Sequence, residues 1–377
     1  MLGPLRVLDF SRVLAGPFAT MTLGDLGADV TKVERPGSGD DTRSWGPPYD
    51  ERGEATYFQA VNRNKRSVAL DFADPDDLAT LRRLACEADV VVENFRPGLM
   101  ASHGLDYETL AADNAGLVYC SITGFGAGQG AALPGYDLLI QALGGLMSIT
   151  GQPDGEPTKV GVALVDVLAG LYATVGILAA LAHRRQSGRG QQVEVDLLTS
   201  LLASLVNQGS AHTVAGVVPG RMGNRHPSIA PYELLPTADG ELVVAVGNDR
   251  QFADFCAELG LGTLPDDERF ATNAARVEHR GALRESLEPA LASRSAAAWS
   301  AGLQRRRVPA GVVNDIGAAF ALATEIGLEP IVNIPREEGG SVDLTRSPIG
   351  LSATPPTYRL APPDLPGRSS RLRARDG

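Results

Sequence analysis

Residues 5–34 read LRVLDFSRVLAGPFATMTLGDLGADVTKVE, and the fold class turns on this stretch. Leu5–Phe10 has the apolar, β-rich character of a strand, Gly16–Leu26 the spacing of a helix opening near Pro17, and Asp29–Glu34 that of a second strand. A strand, a helix and a strand in 30 residues form one crossover unit of a parallel sheet. The pattern then repeats. Arg66–Phe72 is β-rich, Asp74–Ala88 is helical with Asp74 placed to cap and Pro75 at the first position, and Val90–Phe95 is a continuous apolar strand. A short helix near Tyr107–Ala112 precedes a strand at Leu117–Thr123. Near-continuous apolar strands alternating with helices predict an α/β domain with a buried, mostly parallel sheet.

Farther along, Tyr136–Ala211 turns mainly helical, broken by the polar turn Gln186–Gln192 and the run VEVDLL. Pro219–Pro231 breaks all periodicity. Glu241–Val246 then reads as a strand, and Arg250–Leu259, Leu283–Leu291 and Ala296–Leu303 as helices, which predicts a smaller α+β domain. The Pro- and Arg-rich end beyond Pro355 reads as exposed and poorly ordered.

The 377 residues carry 45 acidic and 34 basic side chains, a net charge of -11, which disfavours nucleic acid and anionic membrane as partners. Cys86, Cys120 and Cys256 form no C-x-x-C pair, and the five histidines lack metal-ligand spacing, so neither a disulfide framework nor a metal site is expected. The N-terminus has no basic and apolar signal-peptide pattern, and the expected location is cytoplasmic. One stretch, Gly161–Ala182, is long and apolar enough to span a bilayer, but Asp166 interrupts it. A buried helix of a large domain is the simpler reading.

Motif chemistry is mostly negative. Glu34 lies 18 residues after Gly16, where a ribose-binding acid would sit, yet SRVLAGPFA and GFGAGQG (Gly124–Gly130) both miss G-x-G-x-x-G. G-x-S-x-G, H-E-x-x-H and the P-loop are absent. Asp166 remains, with two readings. It is either the N-cap of the apolar helix or a nucleophile that, already ionised at neutral pH, attacks an acyl carbonyl without a partner base. Basic residues cluster in the first half: Lys32, Arg35, Arg43, Arg63, Lys65, Arg66 and Arg96. If their strand ends converge, they would hold a small polyanion.

Taken together, VLDFSRVLAGP (Val7–Pro17), LGADVTKVERPGSGD (Leu26–Asp40), NRNKRSVALD (Asn62–Asp71), ADVVVENFRPG (Ala88–Gly98), GYDLLIQALGGLMSITG (Gly135–Gly151), VALVDVLAGLYA (Val162–Ala173), SGRGQQVEVDLL (Ser187–Leu198) and GNRHPSIAPYE (Gly223–Glu233) resemble the class III coenzyme A-transferases, the group of formyl-CoA transferase, carnitine CoA-transferase and alpha-methylacyl-CoA racemase. The resemblance implies a large Rossmann-like domain, residues 1–215 completed by a returning segment of about 325–377, and a small domain over 225–320, in an interlocked homodimer. It implies that Asp166 attacks an acyl-CoA thioester and passes CoA to a second carboxylic acid through anhydride and aspartyl-CoA thioester intermediates. It places Leu14, Ala15, Arg35, Leu70, Asn94, Phe95 and Arg96 against CoA, and Tyr136 and Asp137 at the acyl end. CoA and acyl-CoA are then substrates, with no permanently bound cofactor. Backbone amides of Gly144 and Gly145, or of the Gly223 loop, are candidates for holding the oxyanion.

Three departures from the family pattern bear on the reaction. Racemases carry G-H-D where this chain has Gly135-Tyr136-Asp137, so a second base for racemisation is missing. Leu14, Ala15 and Met222–Glu233 replace residues of formyl-CoA transferases, which counts against oxalate as acceptor. PGRSSRLRARDG (366–377) replaces the usual C-terminal helix. An acyl-CoA racemase or isomerase, and a catalytically silent acyl-CoA-binding protein, are the alternative readings.

Overall fold

A computed structural model of the chain describes residues 2–337 and 339–367. They fall into two compact units, one taking residues up to 146, 159–217 and 329 onward, the other 147–158 and 218–328.

The first unit is built on six parallel strands, β1 (Arg6–Asp9), β2 (Asp29–Glu34), β3 (Lys65–Ala69), β4 (Val90–Glu93), β5 (Val118–Thr123) and β6 (Gln192–Asp196), in the order β3-β2-β1-β4-β5-β6. The order reverses between β1 and β4. In a doubly wound sheet that is where a crevice opens beyond the carboxyl ends of the strands. Alternation along β4 shows why the sheet is buried on both faces. Val90 and Val92 join Leu23, Ile122 and Ile177 in one core, while Val91 joins Leu8, Leu81 and Leu110 in the other. The capping expectation at Asp74 holds, its side chain accepting from the amides of Asp76 and Asp77 with Pro75 opening the helix Pro75–Glu87. The apolar stretch forms the helix Leu164–Ser187, whose Val165, Ala169, Ala173, Ile177 and Ala180 are buried in the first core. It ends at Gly188, whose φ of 73° lies in the left-handed region that a glycine enters without strain.

Beyond the second unit the chain returns as a hairpin, β10 (Ile331–Pro335) against β11 (Ser341–Thr345), and an extended segment. Arg63 and Asn64 stitch it to the rest of the first unit. Arg63 pairs with the buried Asp25 at 2.6 Å and donates to the Thr345 carbonyl, while Asn64 bonds Thr357, Arg359 and Leu360. Most of the Arg-rich end expected to be poorly ordered, residues 368–377, lies outside the described residues.

The second unit is a three-stranded antiparallel sheet, β7 (Tyr232–Pro236), β8 (Glu241–Ala245) and β9 (Ala310–Val312), with the helices Asp249–Leu259, Arg280–Leu291 and Ala296–Arg305. Leu242, Val244, Phe252, Phe255, Leu287 and Trp299 form its core.

Candidate active site

The loops after β1, β4 and β5 enclose a cavity of about 200 Å³ at the carboxyl ends of the strands. Leu14, Ala15, Asn94, Phe95, Arg96, Tyr136 and Asp166, drawn from four separate stretches of sequence, all line it. A second cavity of similar size takes Arg35 and Leu70, with Phe95 in its wall as well. Arg12, which sequence reasoning passed over, lines both. Its place in the loop following β1, at the switch point, was the available signal.

Asp166 is the third residue of its helix and does not cap it, contrary to one of the two sequence readings. The N-cap position is Ala163, and the capping oxygen comes from Asp137, 28 residues before Val165. Asp137 Oδ1 accepts from the amide of Val165 at 2.8 Å and from that of Asp166 at 3.4 Å. Its Oδ2 accepts from Gln141 Nε2 at 2.6 Å, and Gln141 Oε1 accepts from the Val160 amide at 2.9 Å. The reason is geometric: a capping side chain folds back from outside the first turn, whereas Asp166 is already inside it. Asp137 therefore sits behind the cavity wall as the element that fixes the helix start. The Asp166 carboxylate bonds to none of the described residues.

That leaves an unpaired, partly buried carboxylate beside a second one. Burial, and then the charge of Asp137, push the Asp166 carboxyl up to about 7. The expectation of a carboxylate already ionised at neutral pH gives way to an acid titrating near neutrality. Tyr57 faces the same pair, and burial followed by the charges of Asp166 and Asp137 raises its phenol.

Beneath the loop that carries Leu14 and Ala15 lies a buried charged layer. Asp9 accepts from Thr20 Oγ1 at 2.7 Å, Lys65 Nζ at 2.9 Å, the Ser11 amide at 3.0 Å and the Ser11 hydroxyl. Lys32 pairs with Asp40 at 2.9 Å and donates to the Ser11 carbonyl at 2.8 Å. Asp40 in turn accepts from the amide of Val13, whose φ of 69° is an outlier for a β-branched residue. Asn94 clamps the adjoining residue from the other side, accepting from the Arg12 amide at 2.8 Å and donating to its carbonyl at 2.7 Å. The side chain of Asn94 is thus committed to holding the loop.

The expected convergence of seven cations is mostly a set of internal pairs. Lys32, Lys65, Arg43 and Arg63 are matched with Asp40, Asp9, Glu34 and Asp25, and Arg66 with Asp29. Burial makes the first four of these pairings obligatory, while the Arg66 pair lies at the surface. Arg35 and Arg96 are exposed, in the cavity walls, and their side chains have no partner among the described residues. The glycines proposed for an oxyanion hole do not offer free amides. Gly144 and Gly145 donate to Ile140 and Ala142 at the end of the helix Asp137–Leu143, and Gly223 donates to Gly151. Gly124 has a different use: a Cβ there would lie 2.5 Å from the Cα of Gly135, so the two loop segments meet only as glycines.

The CoA-transferase family III model matches residues 2–369. A succinate–glutarate CoA-transferase of Agrobacterium fabrum is 45% identical over 97% of this chain and 92% of its own length. The succinyl-CoA:glutarate CoA-transferase of Mus musculus is 40% identical over 98% and 85%, and the acetyl-CoA:oxalate CoA-transferase of Acetobacter aceti 37% over 98% and 94%. Among solved structures, a CAIB/BAIF family protein from Brucella suis superposes with a TM-score of 0.85 at 44% identity, covering 96% of this chain and 95% of that one.

Proposed function

The chain belongs to CoA-transferase family III, whose enzymes pass CoA between acids, and from that premise we propose that Asp166 carries the acyl group and then the CoA. The observation behind this reading is the placement of a carboxylate, without a hydrogen-bond partner among the described residues, in the same cavity wall as Leu14, Ala15, Asn94, Phe95, Arg96 and Tyr136.

In the proposed sequence an Asp166 oxygen adds to the thioester carbonyl of the donor. The C–S bond breaks, leaving an aspartyl mixed anhydride and CoA thiolate. The thiolate attacks the aspartyl carbonyl, the C–O bond breaks, and the first acid leaves as its carboxylate with an aspartyl-CoA thioester behind it. The second carboxylate repeats both exchanges in reverse order, ending as acyl-CoA with Asp166 restored. No redox partner or net proton is needed. Burial of the site protects the anhydride from water. Arg35, Leu70 and Phe95 form the wall proposed for the nucleotide side of CoA, with Tyr136 toward the acyl end.

Succinyl-CoA and glutarate are the substrates to try first, after the names of the two glutarate enzymes. The departures at Leu14, Ala15 and Met222–Glu233 do not exclude oxalate, given a full-length relative named for it. Racemisation is disfavoured by Tyr136 standing where a second base is required.

Attack requires the ionised form, so kcat/KM for CoA exchange is expected to rise with pH through about 7 and level off above it. In Asp137→Asn the amide oxygen can still accept from Val165 while the charge is gone, and the acid limb moves to lower pH. A limb that stays in place shows that Asp137 does not set it.

A homodimer is also proposed. Its support is apolar surface left uncovered on one chain: Val175 on the long helix, Val206 and Val214 beyond it, and Ile316 at 79% exposure on the helix Ile316–Glu325, which buries none of its residues. Sedimentation equilibrium should give twice the 39.5 kDa of one chain; a monomer at micromolar concentration would contradict it.

A further inference from the structure

We propose that Arg12 selects dicarboxylic acids, its guanidinium taking the distal carboxylate of a substrate whose other carboxyl reacts at Asp166. This rests on the function proposed above and names a residue for its substrate class.

Four observations converge on Arg12. It stands in the walls of both cavities. Its backbone is held on two sides by Asn94, and its guanidinium lies 5.1 Å from the centre of the Phe95 ring, so its position is fixed before substrate arrives. Only Nη1 is occupied, on Asp41 at 2.9 Å. Nε is buried without a partner, and Nη2 has none among the described residues. Nη2 is the donor left to take a carboxylate oxygen, and a bound acid that also opens the buried Nε removes the cost of its unmade bond.

Charge in the cavity gives the same direction. Asp166 and Asp41 are both in its wall, so a dianionic acid entering there needs a cation. The other cation in the wall, Arg96, is exposed and has no partner among the described residues. A monocarboxylic acid spends its only carboxyl at Asp166 and has nothing to place on Arg12.

The test compares glutarate with butyrate as acceptor at a fixed, saturating donor, so that kcat/KM for the acceptor reports its encounter with the CoA-loaded enzyme alone. Wild type is expected to prefer glutarate, and Arg12→Ala to lower the glutarate-to-butyrate ratio by about 30-fold or more, the size of a lost charge-assisted bond. Asp41→Asn, which removes a negative charge from the cavity wall and weakens the hold on Nη1, is expected to raise the ratio. That variant keeps the proposal testable should Arg12→Ala fold poorly. Equal losses for both acids in Arg12→Ala, no preference in wild type, or a ratio that falls in Asp41→Asn would each overturn it. Wild type that transfers CoA to no acid at all overturns the proposed function instead, and with it this inference.

Discussion

Asp166→Ala is expected to abolish CoA exchange, with a loss on the order of 10⁴-fold or more, because a covalent carrier has no partial substitute. The other carboxylates nearby are committed: Asp41 pairs with Arg12 at 2.9 Å, and Asp137 caps the helix that carries Asp166. Acyl-CoA binding should survive, since the walls assigned to CoA are untouched.

Stability separates lost chemistry from lost fold. A carboxyl raised from 3.8 to about 7 binds its proton more tightly in the folded protein. Its contribution to stability is therefore full below 3.8 and lost as pH rises through 7. Removing it should leave the variant at least as stable as wild type at pH 8. Inactivity together with a lowered melting temperature at pH 8 would argue that Asp166 holds structure instead.

The second large effect is on folding. Asp9→Ala leaves Lys65 as a buried cation without its carboxylate and removes the acceptor of two hydrogen bonds from Ser11 and one from Thr20. Breaking a buried pair from one side costs about 3–5 kcal/mol. Burial alone would raise the Asp9 carboxyl, but Lys65, Lys32, Ser11 and Thr20 overcome it and hold the group at about 2. A depressed carboxylate stabilises above its unfolded value of 3.8 and loses that contribution as pH falls toward 2. The penalty in Asp9→Ala should accordingly be full at pH 7 and shrink in acid. The two tryptophans make it measurable, Trp45 lying in the first unit and Trp299 in the second. Urea unfolding followed through Trp45 in a Trp299→Phe background reports the affected unit. Asp9→Asn, still able to accept from Ser11 and Thr20, should lose less. A change below about 1 kcal/mol in Asp9→Ala would show that the layer is not under strain of this kind.

What the sequence made legible follows from how local each signal is. Strand and helix periods at residues 5–34 and 74–95 depend on neighbours a few positions apart, and the structure keeps them to within a few residues. The Asp74–Pro75 helix start is local in the same way. The helix start at Leu164 is not, because its capping oxygen belongs to Asp137 on another helix, and nothing near Asp166 announces it. Lys32 and Lys65 looked like ligand-binding cations because composition counts charges without their partners. Only the parallel sheet brings Lys32 beside Asp40 and Lys65 beside Asp9. The motif residues around Val7–Pro17 and Asn62–Asp71 were visible as a pattern, but their use in supporting the Val13 turn from below was not. Arg12 was hidden for the opposite reason: its importance lies in a bond it does not make.

The most direct test of the Asp166 mechanism is chemical trapping. Enzyme incubated with succinyl-CoA is quenched with hydroxylamine, digested, and its peptides weighed. An aspartyl hydroxamate at Asp166, formed only with donor present and absent from Asp166→Ala, is the expected result. CoA exchange between succinate and glutarate with Asp166 unmodified, or with the label on another residue, would contradict it.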